Sequence, residues 1–233
     1  MDNTIQSYVA QFQEDGFLHI PGFFTEAEIE SCRRELRAMF AQQNLPAGQE
    51  PDFLRLGRQM AGAVQLAKLE KVSRLLDAVM GEPSELFMCQ FRNAKPQGKS
   101  EVYPHQDADG LHFDPPRSIA GWISMGSYGP EDGCMRYVKG SHKKGFTPDA
   151  FGPLPNPNYP SDHEVVVPTT TGDFILHHCF TIHRSSPNRG IQPRWAMALT
   201  WCPQGAERVD EAQWAKKYGR HTRVSPHSQR LSS

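Results

Sequence analysis

A mainly β fold with flanking helices is what this 233-residue sequence predicts, on three observations. From residue 86 onward, short β-prone runs follow one another, separated by turns rich in Gly, Pro and Asp such as "GPEDG" and "GPLPNPNYPSD". Helical periodicity is concentrated before residue 84. Hydrophobic residues make up 38% of the chain, which suffices for one packed core. Many short strands with such punctuation specify a sandwich, a jelly roll or a barrel. The length fits a single domain over 1–233: helical support over about 1–84, a β core over about 85–203, then a helix and tail over 204–233.

The elements follow in order. "GFLHIPGFF" (16–24) reads as a short strand, bounded by Gly16 and by the turn at Pro21-Gly22. Thr25 and Glu28 form a capping box that opens a helix over 25–43, where Ile29, Cys32, Leu36, Met39 and Phe40 recur at helical spacing. "NLPAGQEPDF" reads as loop. A second helix is expected over 63–81, with Leu66, Leu69, Val72, Leu75, Leu76 and Val79 on one face and Gly81 and Pro83 ending it. Strands are expected over 85–94, 119–128, 133–141, 163–169, 172–180 and 194–202. A last helix is expected over 206–220, followed by a polar, frayed tail.

Bulk properties exclude several function classes. The formal net charge of −1 gives no global field for nucleic acid or an anionic membrane. The opening residues do not read as a signal peptide, and no run approaches the roughly 18 apolar residues of a membrane span. Cys32, Cys89, Cys134, Cys179 and Cys202 are odd in number and contain no CxxC pair. They read as reduced thiols of a cytoplasmic protein rather than as a disulfide framework or zinc knuckle. The sequence carries no signal for oligomeric state.

The chemistry-bearing stretch is "YPHQDADGLHF" (103–113). On an extended segment residues i and i+2 share a face, so His105 and Asp107 would converge. A mononuclear non-haem Fe(II) site needs two histidines and one carboxylate on one face of the metal. An HxD pair therefore asks for a distant histidine, and His177, His178 and His183 are the candidates. A dicarboxylate cosubstrate chelating the iron would need an arginine for its far end. Arg194 lies eleven residues after His183, and Arg189 eleven after His178. Arg189 sits in the turn-rich "SPNRGIQP" and should face water, whereas Arg194 opens a regular strand. That selects His183 with Arg194, and leaves His177 and His178 as packing or supporting residues pointing to opposite faces.

"YPHQDADG", "AGWISMGSYGPEDGCMRYVKGSHKKG" and "HRSSPNRGIQPRWAMALTW" resemble the phytanoyl-CoA dioxygenase family of Fe(II)/2-oxoglutarate oxygenases, and "EDGFLHIPGFFTEAEIESCRREL" is similar to its opening strand and helix. The joint pattern is an HQD, then GxxxxxxGSHKxG, then HxSxPN with a following PR. The resemblance implies a double-stranded β-helix, that is, a cupin-like jelly roll. It implies His105, Asp107 and His183 as iron ligands, Arg194 and Ser185 as partners of the 2-oxoglutarate C5 carboxylate, and Trp122 as lining of the cosubstrate pocket. Gln106, inside the HQD, and Met88, a looser match, are carried over as cofactor-binding residues.

The resemblance further implies O2 as co-oxidant and ascorbate as a stimulant. The expected reaction is hydroxylation of an unactivated C–H bond with release of succinate and CO2. Because Asp107 is present, where related halogenases have a small residue, halogenation is disfavoured. Desaturation, epoxidation and cyclisation share the cofactors and remain alternatives. Two further readings are a non-catalytic jelly-roll binding protein and a cupin-like isomerase or hydrolase using another divalent metal. The short chain and the absence of a phosphate-cradling Gly-rich loop favour a small molecule or natural-product intermediate over an acyl-CoA as substrate. Asp109, His112 and Arg117 are candidates for contacting it, and Arg92, Arg136, Lys95 and Arg55 are cations that could hold an acidic one.

Overall fold

Side-chain alternation explains how the sheets are built. In the last long strand, Trp195, Met197, Leu199 and Trp201 alternate with Arg194, Ala196, Ala198 and Thr200. The large residues join the main apolar core, while the small or polar ones face the opposite side. One face of the strand thus buries bulk, and the other leaves room for a site.

The computed structural model describes residues 3–45, 50–56, 60–98 and 101–219. Its larger sheet runs, in spatial order, β1 (Phe17–Ile20), β8 (Phe174–His178), β5 (Ile119–Ser124), β10 (Arg194–Pro203), β3 (Ser84–Ala94) and β2 (Phe53–Arg55). Its smaller sheet runs β4 (Val102–His105), β9 (His183–Ser185), β6 (Met135–Val138) and β7 (Glu164–Val167). Every pairing is antiparallel. Phe17, Trp122, Ile175 and Ala196 of the larger sheet pack against Met135, Tyr137 and Val167 of the smaller one, so the sheets face each other as a jelly roll requires.

The outer face of the larger sheet is covered by α1 (Asn3–Asp15), α2 (Glu26–Gln42), α3 (Ala61–Ala67) and α4 (Glu70–Met80). Ile29, Leu36, Leu75 and Leu76 there meet Phe91, Ile123, Phe174 and Met197, all at most 2% exposed. Burying side chains of this size contributes about 1.5–3 kcal/mol each. Gly121 is required by the same packing, since a Cβ there would meet Phe174 Cε2 at 2.6 Å and Trp201 Cζ3 at 2.7 Å. The capping box at α2 forms as the sequence predicts: Thr25 Oγ1 accepts from the Glu28 amide at 3.2 Å, and Glu28 accepts from the Thr25 amide at 2.7 Å.

Several elements differ from the sequence expectation. The helix expected over 63–81 is two helices, because Leu69 leaves helical geometry with ψ 138°. The break lets α3 dock on α2, where the Glu35 carboxylate accepts from the amides of Ala61 and Gly62 at 2.8 and 2.7 Å. Helix α1 escapes the periodicity test because Phe12 is its sole fully buried residue. β2 begins at the last residue of the expected loop, in a stretch to which the sequence assigned no element, and pairs at the sheet edge with Arg92, Phe91 and Gln90. β4 and β9 are too short to register as alternating runs. The expected helix at 206–220 is α6 (Glu211–Tyr218), and the tail beyond residue 219 lies outside the described residues.

All five cysteines are free and buried. Among the described residues, no helix is long and apolar enough to cross a membrane.

Candidate metal centre

β4 and β9 pair so that His105 lies opposite His183, with a register irregularity between Val102 and His105. Such an irregularity re-aims a side chain, and here it turns His105 toward the facing sheet. The His105 and His183 rings lie 4.2 Å apart. Each Nδ1 meets the carbonyl two residues earlier: His105 with Tyr103 at 2.8 Å and His183 with Thr181 at 2.9 Å. With Nδ1 donating to those carbonyls, each Nε2 presents its lone pair to the same point.

Asp107 completes that point by a different route from the one the sequence suggests. The chain is not extended there. Asp107 has φ −59° and ψ −27° and caps the short helix α5 (Ala108–Leu111). The turn brings Oδ1 to 3.7 Å from Nε2 of both His105 and His183. The three ligand atoms lie within 4.8 Å of one another. Two imidazoles and one carboxylate in this arrangement suit a mononuclear metal with open positions on one side.

The other Asp107 oxygen, Oδ2, is engaged by His177 Nε2 at 2.9 Å, and Tyr137 Oη lies 3.4 Å from His177 Nδ1. Burial alone would raise the Asp107 carboxyl, but His183, His105 and His177 together hold it well below the usual carboxylate range. Burial, helped by His105 and His177, pushes His183 well below the usual imidazole range. An ionised carboxylate and a neutral imidazole are the forms that ligate a metal. His177 is a residue whose role the sequence left open. The signal for it is positional: β8 places it opposite Ala120 and Phe17, on the inner face, and His178 on the outer one.

His178 accepts from the Phe180 amide at 3.0 Å, and burial pulls it down to about 4. Arg189 is exposed. The alternative pair is thus not at the centre. Replacing His177 with phenylalanine releases Oδ2, and metal affinity should fall about 10–100-fold. Calorimetric titration with Mn(II) measures this, and His178→Phe should leave it unchanged.

Arg194 stands further along the same inner face and is 6% exposed. Its guanidinium lies 4.9 Å from the Trp122 ring centroid and 4.0 Å from the Met135 sulfur. Its Nε is buried with no partner, and no carboxylate pairs with it among the described residues. Ser185, 2% exposed, is aligned with Met135 and lies two residues along β9 from His183. A buried guanidinium without a counter-ion calls for an anionic ligand. The donor set beside the triad therefore fits a dicarboxylate.

The remaining expected residues are placed as follows. Trp122 lies on the inner face, opposite Ala198. Gln106 differs from expectation. Its side chain donates to the Gly145 carbonyl at 2.9 Å and to that of Phe180, and accepts from the Thr147 amide at 2.9 Å. Its hydrogen-bonding capacity is used on backbone, so it clamps three loops around the centre. Met88 lies on the inner face opposite Thr200, packs with Leu111 and Phe113, and its sulfur accepts from Gln90 Nε2 at 2.9 Å.

Asp109 lies within α5 and so does not share a strand face with Asp107. His112 turns back to the Asp109 carbonyl at 2.8 Å and packs on Trp214, with ring centroids 5.5 Å apart. Arg117 pairs with Glu82 at 2.6 Å.

The family profile described as phytanoyl-CoA dioxygenase matches residues 12–196. A methylphosphonate hydroxylase of Gimesia maris is 26% identical, over 93% of this chain and 88% of the relative. A 2-aminoethylphosphonate dioxygenase of an uncultured bacterium is 23% identical over 90% and 87%. Among solved structures, the α-ketoglutarate-dependent carbocyclase SnoK of nogalamycin biosynthesis superposes with TM-score 0.75 at 23% identity, over 97% of this chain and 91% of the other. The epimerase SnoN, in complex with Fe3+ and α-ketoglutarate, gives 0.74 at 22%, over 96% and 93%. At these identities the two structures attest the fold.

Proposed function

Since this chain belongs to the phytanoyl-CoA dioxygenase family, we propose that it hydroxylates an unactivated C–H bond of a small molecule, consuming 2-oxoglutarate and O2 and releasing succinate and CO2. The observation that carries the reading is the convergence of His105 Nε2, His183 Nε2 and Asp107 Oδ1 within 4.8 Å. In it, His105, Asp107 and His183 would hold Fe(II). When bound, iron and 2-oxoglutarate activate O2 and replace a substrate C–H by C–OH.

The chain's own residues do the rest. Arg194 neutralises the far carboxylate of 2-oxoglutarate, Ser185 donates to it, and Trp122 walls the pocket beside it. His177 fixes Asp107 so that one oxygen stays free for the metal. Tyr137, Ile175 and Phe17, all buried between the sheets, exclude water from the centre. Relatives named for methylphosphonate and 2-aminoethylphosphonate support a free small molecule rather than an acyl-CoA as substrate. Five free, buried cysteines support a reducing, cytoplasmic setting.

The test is succinate formation with Fe(II), ascorbate and 2-oxoglutarate over a panel of candidate metabolites. A true substrate raises succinate release under air, with equimolar hydroxylated product, and the stimulation disappears under nitrogen. Turnover that persists without O2 or 2-oxoglutarate sinks the reading in favour of a redox-neutral metalloenzyme.

A further inference from the structure

The cations that could hold an acidic substrate are not equivalent. Lys95 is paired with Asp52 at 3.4 Å, Arg117 with Glu82 at 2.6 Å, and Arg136 with Glu164 at 2.9 Å. Arg92 makes no ion pair among the described residues. It lies in β3 opposite Ala196 of β10 and Phe53 of β2. Directly opposed residues share a face, so Arg92 stands on the inner wall with Gln90, two positions from the residue opposite Arg194.

The local contacts hold Arg92 ready without satisfying it. Its guanidinium lies 4.5 Å from the Phe53 ring centroid, and one Nη donates to Gln90 Oε1 at 2.8 Å. Phe53 backs the planar group and Gln90 fixes its rotation, which leaves most of the N–H fork unused. Burial, the largest influence, pulls Arg92 down to about 10; Asp107 opposes this and Arg194 adds to it. Arg92 is therefore close enough to both the triad carboxylate and the cosubstrate arginine to feel their charges.

A charge balance shows what is missing. On the function proposed above, the two positive charges of iron and the one of Arg194 are balanced by Asp107 and the two carboxylates of 2-oxoglutarate. Arg92 is the cation left over, on a wall it shares with Ala196 and Ala198. A half-buried cation with no counter-ion recruits one.

We propose that Arg92, steadied by Gln90 and Phe53, anchors the anionic group of the substrate, which is therefore a small organic acid, a carboxylate or a phosphonate. The proposal rests on the oxygenase reading and adds to it the substrate class and the residue that selects it. Arg55, exposed and aligned with Gln90 on β2, extends the positive potential outward along the same face.

The experiment uses the full chain. Methylphosphonate and 2-aminoethylphosphonate, their carboxylate counterparts acetate and 3-aminopropionate, and the neutral dimethyl ester of methylphosphonate are compared in the succinate assay. Binding of methylphosphonate to the metal-free protein is followed separately by phosphorus NMR line broadening. An anion should stimulate succinate release and the neutral ester should not; whether phosphonates or carboxylates win identifies the head group. In Arg92→Met, kcat/KM for the best anion should fall about a hundredfold and the line broadening should vanish, with Arg92→Lys in between.

The 2-oxoglutarate dissociation constant of Arg92→Met loaded with Mn(II) should stay within about twofold of the parent. A parallel loss of 2-oxoglutarate affinity assigns Arg92 to the cosubstrate and overturns the proposal. So does stimulation by the neutral ester, by none of the anions, or by an anion undiminished in Arg92→Met. Failure of the parent protein with Mn(II) to bind 2-oxoglutarate would instead defeat the oxygenase reading itself.

Discussion

Asp107→Ala should abolish substrate-dependent succinate formation, with a loss of at least about a thousandfold, and should weaken Mn(II) or Fe(II) binding by more than about a hundredfold. Three consequences follow from removing one side chain. The triad loses its carboxylate, so a divalent cation would face two imidazoles. His177 loses the 2.9 Å partner of its Nε2 and can rotate within the inner wall. His105 and His183 lose the carboxylate 3.7 Å from each Nε2, which leaves two imidazoles to orient a cation by themselves. Calorimetry with Mn(II) and a discontinuous succinate assay measure the two losses, and far-UV circular dichroism shows that the fold persists. Full succinate release by Asp107→Ala would mean that the metal sits elsewhere.

Arg194→Met should act in opposite directions on stability and on function. Arg194 is 6% exposed, with a buried, unpartnered Nε and no carboxylate paired with it among the described residues. Burial pulls this guanidinium down to about 10, which shows how poorly the site solvates the charge. Methionine fills comparable volume against Trp122 and Met135 without that penalty. Unfolding free energy should therefore rise by about 1–3 kcal/mol, read from urea melts. The same replacement removes the cation that meets the far carboxylate, so the KM for 2-oxoglutarate should rise about a hundredfold or more. The thermal shift that 2-oxoglutarate and Mn(II) produce in the parent protein should be lost in the variant. A variant that is less stable, yet binds 2-oxoglutarate normally, would refute the assignment of Arg194. Retaining an unpaired buried cation is explicable where function requires it, since stability is given up for a preorganised anion site.

Legibility in the sequence varied with element length. The long strands β3, β5, β8 and β10 announce themselves by apolar content and turn punctuation, and α2 by its capping box and periodic apolar residues. The strands that carry two of the three triad residues, β4 and β9, do not. They hold four and three residues, and Pro104 interrupts the first. Too few residues remain for an alternation to be recognised. The HxD spacing singled out two side chains that the structure brings together with His183, but by a geometry the molecule does not use, since Asp107 is helical rather than extended.

The spacing of eleven residues to an arginine fits both His183 and His178, and the choice rested on Arg194 opening a regular strand while Arg189 sits in a turn-rich stretch. The structure places His178 on the outer face and Arg189 in solvent, in keeping with that argument. Gln106 was carried over as a cofactor-binding residue from its place inside the HQD motif, whereas its amide is spent on three loop backbones.

By itself, then, the sequence determined which residues can carry metal and anion chemistry: side-chain type is local, and two histidines, an aspartate and a strand-borne arginine are visible without a fold. It also determined the β-rich class, because alternation and turn chemistry are properties of neighbours along the chain. Only the tertiary structure decided which oxygen of Asp107 is free and which is tied to His177, and that Arg92, unlike Lys95, Arg117 and Arg136, has no acid in ion-pair reach among the described residues. Both depend on groups seventy or more positions apart in the chain, as Asp107 and His177 are, or on absences that no local pattern records. A charge is neutralised or left over by whatever the fold happens to bring within a few ångströms of it, and that is set by sheet register and packing rather than by spacing.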